Sequence, residues 1–320
     1  MPVQIAVIDD WQAVAQDVVD WSVLKAVGEV TFLHDYPADN ATLAARLGEF
    51  EVICVMRERT RFDEDLLRRL PTLKLLVTGG MRNAALDLEA AAALGIQVCG
   101  TDSYKHAAPE LTWALIMAAT RNLVVEASAL RAGQWQQSLG GDLHGKTLAI
   151  LGLGSIGQRV AQFGQVFGMR VIAWSENLTA ERAASVGVSY VSKQQLFEQA
   201  DVLSVHLVLS ERSRGLVDAE ALGWMKPSAL LVNTARGPIV DETALIKALQ
   251  KKRLAGAALD VYEQEPLPAH HPFRTLENVL ATPHVGYVSQ QNYQQFFSQM
   301  IEDIQAWSAG QPIRLLGSTP

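Results

Sequence analysis

The feature of this chain that most limits its possible folds is a glycine turn at residues 152–157, with the sequence GLGSIG. The turn follows the apolar-rich run KTLAIL at 146–151 and precedes a segment with helical spacing. In a βαβ unit, three glycines at this spacing allow a tight turn, the approach of a pyrophosphate to the backbone, and close packing of helix on strand. A plain strand-to-helix turn is the alternative, but this placement favours a dinucleotide site at the helix N-terminus. The residues predicted to hold the cofactor phosphates are Gly152, Gly154, Ser155, Ile156 and Gly157.

Short β-rich runs alternate with helical segments in both halves of the chain, a pattern typical of parallel sheets covered by helices. Five strands are predicted before residue 100, and the alternation restarts at residue 147. Long helical segments at 108–121 and 287–307 fall outside that alternation. Because 320 residues exceed one ordinary core, we expect an α/β fold with two doubly wound parallel-sheet domains.

Charge and composition exclude several kinds of partner. The chain has 27 Lys and Arg against 34 Asp and Glu, a formal net charge of −7, and its basic residues are scattered. Nucleic-acid grooves and anionic membrane surfaces both need clustered basic residues, so neither partner is expected. No apolar run approaches the roughly 20 residues that span a bilayer.

The cysteines and the N-terminus suggest a reducing compartment. Cys54 and Cys99 lie in apolar strand-like runs, far from any CxxC or Cys/His cluster, so we expect buried free thiols and no metal site. The first residues, MPVQI, lack the basic and apolar stretches of a signal peptide. The expected location is therefore the cytoplasm.

The strand after the glycine turn, at 170–174, bears on the choice of cofactor. An acidic residue at the end of such a strand binds the ribose diol of NAD. Here Ser175 stands at the expected position and Glu176 follows it. Serine removes the charge that repels a 2′-phosphate, but Glu176 restores it one residue later, and no Arg follows closely. We expect NAD, with NADP left open.

Four later segments, together with the turn, resemble the D-isomer-specific 2-hydroxyacid dehydrogenase family, which includes phosphoglycerate dehydrogenase and glyoxylate/hydroxypyruvate reductase. They occur in the family's order and at similar separations: MKP at 225–227, LVNTARG at 231–237 running into VDE at 240–242, AALDVYEQEP at 257–266, and ATPHVG at 281–286.

The resemblance covers nearly the whole chain and implies a segmented architecture. A flavodoxin-like substrate domain would comprise residues 1–104 and 287–320, and a Rossmann NAD(P)-binding domain residues 105–286. It also implies a homodimer formed through the cofactor domains.

The resemblance also implies a catalytic trio of Arg236, Glu265 and His284, and the chemistry suits these residue types. A guanidinium can grip the planar carboxylate of a 2-keto acid with two hydrogen bonds. A protonated histidine can supply the proton that the alkoxide needs after hydride transfer, and a carboxylate on the other ring nitrogen favours that protonated form. Each residue alone has an ordinary structural explanation, as a loop charge, a turn cap or a loop histidine. All three at strand ends, where open α/β sheets bind ligands, favour function.

Further cofactor contacts follow from the same resemblance. Asp260 matches a residue near the nicotinamide, although it could simply cap its strand. His206, Thr234 and Ala235 match backbone or ribose contacts. Val208 stands where the family often has proline, which leaves the shape of that loop open.

Substrate contacts are expected from two loops near the N-terminus. The loop TGGMRN at 78–83 matches one whose backbone N–H groups meet the substrate carboxylate, through Gly79 and Gly80; Arg82 departs from the family pattern. Arg57 and Arg59 follow a strand and would face the substrate cleft in this architecture. They either bind a second anionic group of the substrate or belong to a charged loop that Glu58 neutralises.

The sequence therefore predicts an NAD(P)-dependent oxidoreductase that interconverts a small 2-keto acid and the (R)-2-hydroxy acid. The alternative from another class is a dinucleotide-sensing corepressor or scaffold that retains the fold. Formate dehydrogenase is disfavoured, because that branch usually has Gln where this chain has Glu265.

Overall fold

The computed structural model describes residues 2–34 and 39–317. The chain divides into two compact units, one of Met1–Tyr104 with Val288–Pro320 and one of Lys105–Tyr287. None of the helices in the described part of the chain combines the length and the hydrophobicity that a membrane span requires.

Strands and helices alternate along the described part of the chain. The strands are β1 (Val3–Val7), β2 (Gly28–Phe32), β3 (Val52–Val55), β4 (Leu75–Thr78), β5 (Gln97–Gly100), β6 (Thr147–Leu151), β7 (Arg170–Trp174), β8 (Ser189–Tyr190), β9 (Val202–Val205), β10 (Leu230–Asn233), β11 (Gly256–Leu259) and β12 (Val279–Ala281). The helices are α1 (Ala15–Val18), α2 (Asn40–Leu47), α3 (Glu64–Arg68), α4 (Leu88–Ala93), α5 (Ala107–Thr120), α6 (Leu123–Arg131), α7 (Ser155–Val166), α8 (Ala180–Ala184), α9 (Lys193–Gln199), α10 (Ala219–Trp224), α11 (Glu242–Gln250) and α12 (Gln290–Ser308).

The first unit is built on a parallel five-stranded sheet in the order β2-β1-β3-β4-β5. Strands β3 and β4 are buried along their whole length, as expected when both faces of a sheet are covered. One face packs against α2, α3 and α4 through a leucine-rich cluster. Near α12, Trp21 packs on Phe297 with ring centroids 5.8 Å apart.

The second unit is built on a parallel seven-stranded sheet in the order β12-β11-β10-β9-β6-β7-β8. Two separate apolar clusters flank it, one containing Phe197 and Leu245 and the other Ile116 and Val160. Helix α5 contributes to the second cluster and α11 to the first. The predicted fold class, two doubly wound parallel-sheet domains, is confirmed.

Helix α6 was not predicted, because its apolar residues do not mark a buried face. Leu123 and Val124 are each 53% exposed and Leu130 is 60% exposed, whereas Ala129 is buried. A periodicity argument assumes that the apolar stripe points into the core of the same chain, and in α6 it points outward.

Candidate active site

The strand ends of the second unit lie level along one edge of the sheet. Strand pairing puts the last residues of six strands in one row: Trp174, Leu151, Val205, Asn233, Leu259 and Ala281. The residues that come next are therefore neighbours along the carboxyl edge, where open α/β sheets bind ligands. Five of them are predicted cofactor residues: Ser175, Gly152, His206, Thr234 and Asp260.

The glycine turn has the shape that a dinucleotide requires. Gly152 has φ +103°, and a Cβ there would lie 2.9 Å from the backbone of His206. A Cβ on Gly157 would lie 2.1 Å from the carbonyl oxygen of Gly152, so helix α7 can approach the turn only without a side chain. At Gly154 the space is open, with no atom of the described residues within 4 Å of a Cβ.

Helix α7 begins directly after this turn, with Gly154 as its N-cap and Ser155 and Ile156 exposed in its first turn. No side chain among the described residues caps it. Its first N–H groups and the positive end of its dipole can therefore receive phosphate oxygens. Together with the open space at Gly154, this fits a bound dinucleotide.

The end of β7 lies beside the turn, because the Gly152 amide donates to the carbonyl of Trp174 at 2.9 Å. Ser175 follows and is half-buried, whereas Glu176 is exposed. The structure thus places Ser175 where the sequence predicted it, at the level of the phosphate turn, with Glu176 one residue further into solvent.

His206 carries a neutral ring. Burial lowers its pKa to about 3, and its Nε2 lies 2.8 Å from the hydroxyl of Ser204. An uncharged imidazole at this edge is suited to hydrogen bonding and packing rather than to ion pairing with phosphate.

Thr234, Ala235 and Arg236 leave the end of β10 in a bent loop. The Asn233 side chain shapes it, accepting from the Ala235 amide at 3.0 Å and donating to the Arg236 carbonyl at 3.0 Å. The Thr234 hydroxyl lies 2.7 Å from that of Thr112 on α5. The Arg236 guanidinium donates to the Ala235 carbonyl at 2.7 Å, and the residue is half-buried.

His284 and Glu265 form a close pair in the second unit. His284 Nδ1 lies 2.5 Å from Glu265 Oε2, while Glu265 Oε1 accepts from the Tyr262 amide at 2.9 Å. The Tyr262 amide thus fixes the carboxylate oxygen that does not contact His284. Nε2 of His284 is left to bind another partner. The pair is partly exposed, at 21% for the His284 side chain and 34% for Glu265.

Asp260 binds the loop that carries His284. Its carboxylate accepts from the Thr282 hydroxyl at 2.6 Å and from the amides of Val285 and Gly286 at 2.8 Å each. The side chain is buried, which raises its pKa. These contacts favour the strand-cap alternative raised by the sequence, and the predicted nicotinamide contact stays a prediction.

Two residues near the pair escaped the sequence argument. The Tyr287 ring packs edge-on against His284, with centroids 5.4 Å apart, and the Tyr262 hydroxyl donates to the carbonyl of Thr282 at 2.7 Å. Tyr262 lies between Asp260 and Glu265 in the segment AALDVYEQEP at 257–266, so its position in the sequence was a usable signal. No sequence pattern marked Tyr287.

The predicted substrate loops lie in the first unit. Gly79 and Gly80 follow β4, and Gly80 has φ +93°. The Arg57 guanidinium donates to the Gly79 carbonyl at 3.2 Å, so these predicted residues are brought together. Arg57 also lies 3.5 Å from Glu58.

No group of three or more His, Cys, Asp or Glu that could hold a metal occurs among the described residues. Cys54 and Cys99 are free and buried, and burial raises the pKa of each thiol.

Comparison with known proteins decides the family. The model of the NAD binding domain of D-isomer specific 2-hydroxyacid dehydrogenases matches residues 113–286, more than half of the chain. This chain belongs to the D-isomer-specific 2-hydroxyacid dehydrogenase family. The predicted family is therefore confirmed, and so is NAD as the cofactor.

Individual relatives agree with that assignment. The chain is 37% identical over 284 residues to a glyoxylate reductase of Aeropyrum pernix, covering 86% of this chain and 84% of that protein. It is 35% identical over 268 residues to a D-3-phosphoglycerate dehydrogenase of Methanocaldococcus jannaschii, covering 82% of this chain but 50% of that protein. The chain thus spans about half the length of this second relative.

A solved structure is similar over almost its full length. The crystal structure of a phosphoglycerate oxidoreductase from Vibrio cholerae superposes with a TM-score of 0.93 at 39% identity, covering 96% of this chain and 99% of that one. This family member is therefore an NAD-dependent oxidoreductase acting on the CH–OH group of a 2-hydroxy acid.

Proposed function

We propose that this dehydrogenase interconverts a small 2-keto acid and the (R)-2-hydroxy acid, with Arg236, Glu265 and His284 as its catalytic trio. The observation that carries the proposal is the 2.5 Å pair of His284 and Glu265, held by the Tyr262 amide. A carboxylate on one ring nitrogen stabilises the imidazolium and leaves the other nitrogen to give or take a proton. NADH, when bound, supplies the hydride.

Arg236 binds the substrate carboxylate in this proposal. A guanidinium matches a carboxylate with two parallel hydrogen bonds, which also fixes the direction of the acid. The bent loop after β10, shaped by Asn233, holds Arg236 close to the sheet. The backbone N–H groups of Gly79 and Gly80 are the further carboxylate donors that we propose.

The cofactor residues follow the sheet edge. We propose that the pyrophosphate is held by the glycine turn, through Gly152, Gly154, Ser155, Ile156 and Gly157. The adenosine ribose contacts Ser175 and Glu176 in this proposal. The rest of the dinucleotide is lined by His206, Thr234, Ala235 and Asp260. Accordingly, Lys105–Tyr287 is the proposed dinucleotide-binding domain, and the other unit is the proposed substrate domain. With Glu176 one residue beyond Ser175, we expect NADH to be preferred over NADPH.

Arg57 is proposed to bind a second anionic group of the substrate. Its side chain is 17% exposed and is held against the loop at 78–83 by its hydrogen bond to the Gly79 carbonyl. The alternative, neutralisation by Glu58, has the 3.5 Å contact of the two side chains in its favour. An anion that binds Arg57 would compete with Glu58. Arg57 would thus pair with Glu58 without substrate and with the anionic group when substrate is bound.

A homodimer through the dinucleotide-binding unit is also proposed, from an exposed apolar patch. Large apolar side chains crowd α6 and the segment after it, and patches of this kind mark interfaces. The exposed members are Leu123, Val124, Val125, Leu130, Trp135 and Leu139. Sedimentation equilibrium should give about twice the chain mass of 34.9 kDa; a monomer at micromolar concentration would contradict the dimer.

Activity on 2-keto acids tests the proposal as a whole. Turnover of at least one small 2-keto acid with NADH, and a higher kcat/KM with NADH than with NADPH, are expected. The corepressor alternative has no supporting observation in the described residues.

A further inference from the structure

Left-handed backbone conformations cluster at the carboxyl edge of the first unit's sheet. Asp9 after β1 has φ +65° and Arg57 after β3 has φ +58°. Strand pairing puts Val7 level with Cys54. Asp9 and Arg57, which follow these two neighbouring strands, therefore lie at the same edge of the sheet. Residues other than glycine seldom adopt such conformations, and those that do concentrate at functional sites.

Asp9 binds both sides of the segment that carries Arg57. Its carboxylate accepts from the Thr60 hydroxyl at 2.6 Å and from the Met56 amide at 3.4 Å. All three residues are at least 96% buried. Asp9 thus bridges the two ends of segment 56–60, and Arg57 lies inside the bridged stretch.

Segment 56–60 is also hydrogen-bonded to the loop at 78–83, which contains Gly79 and Gly80. The Asn83 side chain donates to the Arg57 carbonyl at 2.6 Å and to the Thr78 hydroxyl at 2.9 Å, and Arg57 itself donates to Gly79. Through these bonds the position of Arg57 and the shape of the predicted carboxylate loop depend on each other.

Arg59 is occupied in holding this arrangement. Its guanidinium donates to the backbone carbonyl of Asp9 and to the Tyr293 hydroxyl, the latter at 3.1 Å, and lies 4.5 Å from the centre of the Trp11 ring. Arg57, whose guanidinium instead lies against the predicted carboxylate loop, is the arginine to which the proposed function assigns a ligand.

We propose that Asp9 is a positioning residue, which holds segment 56–60 so that Arg57 can bind a second carboxylate or a phosphate on the substrate. This inference rests on the proposed function of Arg57. Asp9 itself touches neither substrate nor cofactor in this proposal; it acts through the loop.

The charge of Asp9 gives the proposal a distinctive signature. Burial raises the pKa of Asp9 to about 6, against the opposing influence of Thr60 and Arg59. Other titratable groups lie nearby: Tyr293 and Asp10, His34, which is 3.7 Å from Asp10, and Glu58, which is 3.5 Å from Arg57. A carboxyl pKa raised from its ordinary 3.8 to about 6 means that the folded chain binds the proton more tightly than the unfolded chain. The ionisation of Asp9 therefore lowers stability as the pH rises from about 4 to about 6, and the loss is complete above that. A positioning role explains why an ionised carboxylate is retained at that cost.

The test compares KM and kcat in the full-length enzyme for glyoxylate and for 2-oxoglutarate, which carries a second carboxylate. Where an acid inhibits without turnover, its Ki replaces KM. Asp9→Asn should raise KM for 2-oxoglutarate about tenfold, as expected for a misplaced charged hydrogen bond, with kcat within about twofold. The KM of the wild type should rise below about pH 6, whereas that of Asp9→Asn stays flat. The melting temperature of Asp9→Asn at pH 7.5 should equal or exceed that of the wild type.

A double mutant separates positioning from general damage. In an Arg57→Ala background, Asp9→Asn should change KM no further, because its effect passes through Arg57. Asp10→Asn is the matched control: this neighbouring buried carboxylate accepts from the Ala15 amide at 2.7 Å, and its loss should leave KM within about twofold. If Asp9→Asn does not fold, Thr60→Val should raise KM in the same way and Thr60→Ser should restore it.

Two results would overturn the inference. One is an unchanged KM for 2-oxoglutarate in Asp9→Asn. The other is an equal fold-change in that KM when Asp9→Asn is introduced into the wild type and into Arg57→Ala. Either would show that Asp9 does not act through Arg57. A different result, in which Arg57→Ala affects both acids equally or neither, would instead refute the proposed role of Arg57, and the positioning role would fall with it.

Discussion

Replacement of His284 by alanine is expected to lower kcat by about 10²–10⁴-fold, the usual contribution of general acid–base catalysis. The proton for the product alkoxide would then have to come from water. Binding of NADH should stay within about twofold, since the cofactor residues follow other strands of the sheet. Stopped-flow measurement of NADH oxidation at saturating keto acid gives kcat, and fluorescence titration gives the NADH affinity.

His271 offers a matched control for this variant. Its Nε2 lies 2.9 Å from Glu242 Oε1, so it too is a histidine paired with a carboxylate in the second unit. His271→Ala should leave kcat within about threefold. If His284→Ala keeps the wild-type kcat, or if both variants lose activity equally, His284 is not the proton donor.

Replacement of Arg236 by alanine is expected to raise KM for the keto acid about 10- to 100-fold, with a smaller fall in kcat. Hydrogen bonds to charged groups contribute about 1.5–3 kcal/mol, and each 1.36 kcal/mol corresponds to a factor of ten. A loss seen mainly in KM indicates an interaction made in the ground state as well as in the transition state. Steady-state kinetics at saturating NADH measure both constants.

The control for Arg236 is an arginine at the other edge of the same sheet. Arg253 is exposed and lies three residues before the first residue of β11, whereas Arg236 follows the carboxyl end of β10. Arg253→Ala should therefore leave KM within about twofold. An unchanged KM in Arg236→Ala would remove Arg236 from the substrate site.

Predictions from the sequence succeeded where one residue type was required by local geometry. Gly152 and Gly157 were assigned from the spacing of a single turn, and in the structure each lies too close to another backbone to carry a side chain. The strand before the turn was equally clear, because an uninterrupted apolar run marks a strand buried on both faces.

Side-chain contacts between residues far apart in the sequence could not be predicted from local patterns. Asp260 was assigned to the cofactor, but its carboxylate accepts hydrogen bonds from residues 22 to 26 positions away, in the loop of His284. Asp9 was not singled out at all, since the partners of its carboxylate lie 47 and 51 residues along the chain. A carboxylate after a strand has no local signal that distinguishes a ligand contact from a loop anchor.

The central claim is that this family member turns over a small 2-keto acid with NADH. Its most direct test is a panel of 2-keto acids, from glyoxylate to larger and doubly charged acids, with NADH or NADPH and the purified enzyme. We predict turnover of at least one acid, with formation of the (R)-2-hydroxy acid and a higher kcat/KM for NADH. Tight NADH binding without turnover of any acid would contradict the claim and favour a dinucleotide-sensing protein.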